Sequence, residues 1–339
     1  MRTSLPRQFT RAGLTLLGVA CVVFAFGAPA QATIIPTVTI GNPGNGNDAA
    51  TGKGAVSTAF NIGTSEVTNA QYAAFLNAVA VTDAYNLYNG SMASGAGSGI
   101  TQSGSPGSYS YTVNSGRGDK PVAFVDSGDA MRFANWMDNG QPTGVQDAST
   151  TEDGAYTLSG ATSAAALAAI ARNTGSTWWL PSENEWYKAA YHKNDGVTSN
   201  YWSYPTATNT APGASAPTAT PNQANYAGAV GDTTDGGAYT ASASAYGTFD
   251  QGGNVWEWTD TVIGGSSRYI RGGGFFSSNV NLSATDSPGN YTVPADFQIS
   301  SAGFRVATIV PEPGSFAMLL FGAVMLWTVG RKRTPKSKC

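Results

Sequence analysis

Two carboxylates, Asp250 and Glu257, bracket a paired glycine and an asparagine in the run DQGGNVWEWTD at residues 250–260. A Gly-Gly turn folds backbone carbonyls toward its flanking side chains. Carboxylates joined by carbonyls at that spacing suit a hard, oxygen-seeking cation such as Ca²⁺. The same residues also describe a tight turn that feeds a core strand. In an extended segment Trp256 and Trp258 share one face, while Glu257 points the opposite way. An indole is large and amphipathic, so burial of at least one of the two is expected.

Few other side chains between residues 33 and 313 carry chemistry. The only cysteines of the chain are Cys21 and Cys339, and its one histidine is His192. His192 follows WYKAAY with Lys188 and Lys193 nearby, which places it at a helix end as a surface or capping residue. A Ser-His-Asp hydrolase needs a nucleophile turn such as GxSxG, and no such signature accompanies this histidine. Asp129, Glu183 and Glu185 are candidate acid–base carboxylates by type. Each also stands at the start of a predicted helix, where the helix dipole favours acidic groups.

The elements that must position these residues are short. Ser182 followed by Glu185 is a capping-box pattern with Pro181 just ahead, and Trp186, Ala189 and Ala190 face the core of the helix it starts. The stretch FNIGTSEVTNAQYAAFLNAVA predicts a strand at 59–62. A helix capped by Thr68 or Asn69 follows, with Tyr72, Phe75, Leu76 and Val79 on one face. DKPVAFVDSGDAMRFANWM predicts a strand at 122–125 and a helix from Ser127 that turns Ala130, Phe133, Ala134 and Met137 inward. A low-complexity helix is predicted at 163–172. Residues 34–58 read as loosely held chain, 89–119 as a loop or irregular hairpin, and 205–222 as a surface excursion. From Gly237 onward short strands alternate with tight turns. The pattern implies one compact α+β domain.

Both ends read as addresses. Arg2, Arg7 and Arg11 precede an apolar run from Ala12 to Phe26, and Ala30-Gln31-Ala32 is a small-x-small cleavage site, so residues 1–32 form a secretory signal peptide. The sequence before Cys21 lacks the leucine of a lipoprotein signal. At the other end, residues 314–330 carry no charge and are long enough for a short membrane-spanning helix. Arg331, Lys332 and Arg333 follow, and the positive-inside rule puts that tail in the cytoplasm. Eight of the 18 basic residues lie in these ends, which leaves 10 basic and 21 acidic groups in residues 33–313, a net charge near −11. Such a surface disfavours nucleic acid and anionic membrane and favours divalent cations. With no cysteine, the exported region holds its fold by its core and not by disulfides.

Val310-Pro311-Glu312-Pro313, the apolar span and the basic stop together resemble a PEP-CTERM sorting signal of Gram-negative bacteria over residues 310–339. The resemblance implies an exosortase partner in the inner membrane, cleavage near Pro-Glu-Pro, and delivery to the cell envelope, cell surface or extracellular matrix.

A second resemblance rests on seven ordered blocks: EVTNAQY with FLN, PVAFVDSGDAMRFANWM, WLPSENEWYKAA, YWSYP, GTFDQGGNVWEWTD, RGGGF and GFRVA. In this order they resemble the formylglycine-generating enzyme, or sulfatase-modifying factor, family over residues 57–309, with 33–56 as a flexible lead. The resemblance implies an α+β domain of C-type-lectin-like type with little regular secondary structure. It also implies structural Ca²⁺, held by the side chains of Asp250 and Glu257 and the carbonyls of Gly253 and Val255. A second site would use Asn225 and the Tyr226 carbonyl, with its other half near Asp232 or Asp235. Arg271 and Arg305, which fall in these blocks, are expected as structural ion-pair partners.

The family's oxidase chemistry needs a cysteine pair that binds copper between RGG and GFR. Here that interval has neither cysteine nor histidine, which removes thiolate ligation of copper. A single histidine also excludes the three-histidine iron site of the related sulfoxide synthases. Two functions remain. One is a non-catalytic scaffold that binds glycan, matrix or protein through loops 84–117 and 197–222, with Tyr85, Tyr88, Tyr109 and Tyr111 as candidates for stacking on sugars or for ordinary packing. The other is an enzyme of unrecognised chemistry on the same scaffold.

Overall fold

The computed structural model describes residues 32–285 and 292–311. The predicted signal peptide (apart from Ala32), the span 314–330 and its basic stop lie outside the described residues. Among the described residues no helix is long and apolar enough to cross a membrane.

Strand β1 (Thr37–Ile40) pairs antiparallel with β2 (Phe60–Gly63). Residues 33–56 are therefore not the loose lead their composition suggested. Asparagine side chains do the fastening there: buried Asn45 donates to the Gly54 carbonyl at 2.8 Å and accepts from the Val56 amide at 3.2 Å. A polar, Gly-rich sequence can be ordered when its amides replace ladder bonds in this way.

Helix α1 (Asn69–Val79) begins at a capping box in which Thr68 and Gln71 bond each other's backbone. Tyr72, Phe75, Leu76 and Val79 are all buried, as the spacing required. The next segment, 100–113, is a hairpin of β3 (Ile100–Ser103) and β4 (Ser110–Val113). The predicted strand at 122–125 does not form. Phe124 adopts φ 60°, which breaks an extended run, and the amides of Val122 and Phe124 bond instead to the carbonyls of Val67 and Ile299.

Helix α2 (Ser127–Asp138) is capped by Asp126 and Asp129 and packs Phe133 and Trp136 against Phe75, with Phe304 edge-on to Phe133 at 5.3 Å. Helix α3 (Ala164–Ala168) is shorter than predicted. The buried Arg268 guanidinium takes the carbonyls of Leu167 at 2.8 Å and Ile170 at 2.5 Å, so this helix ends on a cation. Strand β5 (Trp178–Trp179) leads to α4 (Glu183–Tyr191), whose Ser182–Glu185 capping box forms as expected. A two-residue parallel pair, β6 (Gly213–Ala214) and β7 (Gln223–Ala224), interrupts the mostly irregular 197–222 region.

The last part of the chain builds the second sheet. Strand β8 (Trp256–Ile263) turns into β9 (Ser267–Arg271), then β10 (Thr292–Pro294), while β11 (Ala302–Gly303) lies parallel to β8; the order is β10-β9-β8-β11. Strand β12 (Ala307–Ile309) returns to the first sheet, whose order is β1-β2-β12-β5. The last strand thus lies between elements from the start and middle of the domain, which closes it.

Candidate functional site

The run DQGGNVWEW occupies the centre of this closure. Strand β8 alternates as an extended segment should: Trp258 is fully buried, and its Nε1 donates to the Val125 carbonyl at 2.9 Å, while Glu257 faces the other way. Three residues of the preceding turn have left-handed backbone: Asp250 at φ 60°, Gly253 at 96° and Asn254 at 61°. Gly253 is obligatory on a second count, because a Cβ there would meet the Asn225 carbonyl oxygen at 2.4 Å. Through this close approach the turn grips the 225 segment, and the Asn254 amide donates to that same carbonyl at 2.8 Å.

Glu257 is completely buried and its carboxylate is committed. Arg305 donates Nε to Oε2 at 2.5 Å and Nη2 to Oε1 at 2.6 Å, and Trp186 donates Nε1 to Oε2 at 2.8 Å. Arg305 also holds the carbonyls of Gly63 and Phe249, each at 2.9 Å. Burial in these surroundings would depress a guanidinium, but Glu257 outweighs it and holds Arg305 above its ordinary pKa. A bidentate guanidinium therefore provides the positive charge that a metal would bring to Glu257. Three donors thus occupy the Glu257 carboxylate, so a cation held with Asp250, Gly253 and Val255 would meet only the remaining lone pair of Oε1 there.

Around this pair lie two further acids. Buried Glu66 accepts from Asn254 Nδ2 at 3.1 Å through Oε1, while Oε2 has no hydrogen-bond partner among the described residues. Burial, reinforced by Asp250 and Glu257, raises the Glu66 carboxyl well above its ordinary range. Asp250 accepts from the Gly237 amide at 2.6 Å, and burial lifts its carboxyl to about 6 against the pull of that bond and of Arg305. Glu66 and Asn254 had no distinguishing signal in the sequence beyond their places in the EVTNAQY and NVWEW blocks.

Asn254 links the acids to the second predicted site. Its Oδ1 accepts from the Thr234 amide at 2.9 Å and from Asn225 Nδ2 at 3.3 Å. The Oδ1 of Asn225 is buried and has no hydrogen-bond partner among the described residues. An unpaired buried amide oxygen fits an oxygen-seeking cation, while the Tyr226 carbonyl, next in the chain, already accepts the Ala229 amide at 3.1 Å. Of the two acids expected nearby, Asp232 is taken by Arg117 at 2.7 Å and by the amides of Gly97 and Thr233. Asp235 is exposed, with Lys120 Nζ at 4.0 Å. Among the described residues no three His, Cys, Asp or Glu side chains cluster as a metal site. Any ion here would need amide, hydroxyl or carbonyl oxygens as well.

The remaining candidates are structural. His192 is fully buried and not on the surface, although it does occupy the C-cap of α4. Its Nδ1 lies 2.9 Å from the Tyr246 hydroxyl and accepts the Asn194 amide at 3.1 Å, which assigns the ring proton to Nε2, facing the Thr198 carbonyl at 3.4 Å. Burial lowers its pKa. Glu183 is buried between Lys53, at 2.6 Å, and Arg271, so it does more than start a helix. Glu185 and Asp129 cap α4 and α2, and Glu185 also pairs with Arg172 at 2.8 Å. Arg271 and Arg305 are both ion-pair partners.

Of the four loop tyrosines, Tyr111 is buried with its hydroxyl on the Ala80 carbonyl, and Tyr88 and Tyr109 pack against its ring. Tyr85 lies under the Arg132 guanidinium at 4.4 Å. Ordinary packing accounts for Tyr111. The surface nearby includes a crevice of about 200 Å³, walled by Val79, Val81 and Val145 with Asp83 and Gln146. On the other loop Trp202 is half-buried under Lys193 Nζ at 4.3 Å.

Among the described residues, four short α-helices, two four-stranded sheets, two two-stranded pairs and long irregular connections around a buried Glu-Arg pair define an α+β domain of C-type-lectin-like type. The chain belongs to the sulfatase-modifying factor family: residues 30–310 match the model of the sulfatase-modifying factor enzyme 1-like domain. Its start at residue 30 takes in the β1 segment. Among solved structures it is similar to CarF (21% identity, TM-score 0.49, 82% of this chain and 99% of that one). It is also similar to variable protein 1 of Treponema denticola (19%, 0.49, 84% and 98%) and to PvdO of Pseudomonas aeruginosa (16%, 0.40, 81% and 92%). No curated protein matches the chain.

Proposed function

We propose that this is an exported, non-catalytic member of the family, a rigid scaffold that binds glycan or protein at the cell surface or in the extracellular matrix. The observation that carries the proposal is the interval between RGGGF and GFRVA, which contains neither cysteine nor histidine. Copper-thiolate oxidation has no ligands there. The scaffold is retained in full, with the Glu257–Arg305 pair at its centre, while two regions of long loops remain on its surface. Loops on a rigid core are where binding residues commonly stand. The crevice beside Val81 and Asp83 and the Trp202 face are the surfaces offered for contact.

The C-terminal PEP-CTERM-like segment supports passage through the inner membrane, sorting by an exosortase, and membrane attachment only before processing. Structural Ca²⁺ at the second site would be held by the Asn225 side chain and the Tyr226 carbonyl, with Asp235 as the acid not already taken by an arginine.

The test is a glycan and matrix-polysaccharide binding screen with the full chain in Ca²⁺, run beside an assay for oxidation of a cysteine-containing sulfatase peptide in the presence of copper. Saturable glycan binding without peptide oxidation is expected. Turnover of the peptide would refute the non-catalytic reading.

A further inference from the structure

The crevice of about 200 Å³ at the C-terminal end of α1 has apolar walls that the backbone holds in place. Val79 belongs to the last turn of α1, and Val81 follows it. The Val81 carbonyl accepts the amides of Gly107 at 2.9 Å and Tyr109 at 3.1 Å, so the turn between β3 and β4 fixes that wall. Val145 supplies another, and the amide of its neighbour Gly144 donates to the Ala78 carbonyl at 3.0 Å. Val81 and Val145 are nevertheless 39% and 61% exposed, so the apolar surface is open to a ligand.

Asp83 and Gln146 line the same space and make its polar part. Asp83 has left-handed backbone, at φ 53°, and its carboxylate accepts the Leu87 amide through Oδ1 at 2.8 Å and the Tyr88 amide through Oδ2 at 3.1 Å. Buried Gln146 accepts the Tyr85 amide at 3.0 Å and donates Nε2 to Asp83 Oδ1 at 3.3 Å. These bonds leave a lone pair on Asp83 Oδ2 and the second hydrogen of Gln146 Nε2, an acceptor and a donor side by side. That pairing selects among ligands. A hydroxyl both donates and accepts, so two adjacent hydroxyls can give a proton to Asp83 and take one from Gln146. An ammonium ion would leave the Gln146 hydrogen unmatched, and an anionic group would meet the Asp83 charge. The C–H face of a sugar ring matches the valine walls. The volume lies below the ~300–1,000 Å³ of pockets for drug-sized ligands, which suits one ring and not a chain of them.

We infer that this crevice binds a single neutral pyranose residue, a terminus or side branch of a glycan, through adjacent hydroxyls on Asp83 and Gln146 and C–H contacts on Val79, Val81 and Val145. The inference rests on the glycan-binding reading above and gives it a site. Tyr85 and Tyr109 are then supports: their backbone amides, on Gln146 and on the Val81 carbonyl, hold the site in shape before the sugar arrives.

The test titrates methyl glucoside, methyl mannoside and methyl galactoside into the full chain by calorimetry, with butylammonium as the cationic comparison. At least one pyranoside should bind saturably. Val145→Trp fills the crevice from an exposed position and should abolish that binding. Val280→Trp, at a valine 56% exposed and outside the crevice, should leave it unchanged. Asp83→Asn should weaken it about 10-fold or more, the loss of a hydrogen bond to a charged group. Pyranoside binding that survives Val145→Trp, unchanged affinity in Asp83→Asn, or binding of butylammonium in place of the sugars overturns the inference. If a polysaccharide binds the full chain and Val145→Trp equally while no pyranoside binds, the site is wrong and the glycan-binding reading stands. If neither pyranoside nor polysaccharide binds, both fall.

Discussion

Replacing Arg305 by methionine tests the centre of the domain. The guanidinium and Glu257 are both completely buried, and Arg305 donates to the carboxylate twice and to the carbonyls of Gly63 and Phe249. Methionine fills much of the volume without the charge. The loss leaves the Glu257 carboxyl with Trp186 as its remaining donor, next to Glu66 and Asp250. Removing one partner of a buried pair costs about 3–5 kcal/mol, and the three stranded acceptors put this site at the upper end of that range. A domain stabilised by about 5–15 kcal/mol would lose a third of its stability or more.

The assay is urea unfolding followed by tryptophan fluorescence, with stability taken from linear extrapolation. Glu257→Gln alone keeps an acceptor for Trp186 but leaves Arg305 unbalanced, and should also destabilise strongly. The double variant Arg305→Met/Glu257→Gln removes both charges. It should be less destabilised than the sum of the singles, with a coupling of about 2–3 kcal/mol. If Arg305→Met costs less than about 1 kcal/mol, or if the two losses simply add, the pair is not the charge balance of the core.

His192 should give a pH signature. Its folded pKa lies below the unfolded value of 6.5 because burial disfavours the imidazolium. The unfolded state therefore binds the proton first, so stability is present above pH 6.5 and is lost as pH falls from there toward the folded pKa. His192→Gln should flatten that step in urea titrations between neutral and mildly acid pH; an identical slope in wild type and variant would rule the histidine out as its source. Gly253→Ala combines a disfavoured φ of 96° with a Cβ 2.4 Å from the Asn225 carbonyl, and should lower the unfolding midpoint severely, by several kcal/mol in stability. Gly265→Ala, at a position where nothing lies within 4 Å, serves as its control and should change stability by less than about 0.5 kcal/mol. Thr68→Ala removes the capping box of α1 and should cost about 1 kcal/mol.

The helices were legible because their signals are local. Capping pairs three residues apart and apolar spacing along one face placed the starts of α1, α2 and α4 within a residue or two. What the sequence hid was long-range pairing. Residues 33–56 look loose by composition, yet β1 and the Asn45 amide fasten them to residues far along the chain or across a turn. The strand expected at 122–125 has the right residue types, but its amides are claimed by Val67 and Ile299, and Phe124 turns left-handed to reach them. His192 reads as a surface or capping residue; it does cap α4, but Tyr246, 54 positions away, makes the cap a buried one.

The same distance problem governs the central site. Glu257 and Arg305 lie 48 positions apart, and from sequence each was assigned separately, the acid to a metal and the arginine to an unnamed ion pair. Folding brings them together, and the guanidinium then takes one position on each carboxylate oxygen, which leaves Oε1 as the place where a cation could still approach. The acids that remain are Asp250, beside a crevice of hydroxyls, and Glu66, with one oxygen unpaired. The core is thus neutralised from within at Glu257, while burial pushes the Asp250 and Glu66 carboxyls upward. The bonds that hold β2, β8 and the 249 turn together run through Arg305, so one guanidinium ties three segments distant in the chain to a single carboxylate.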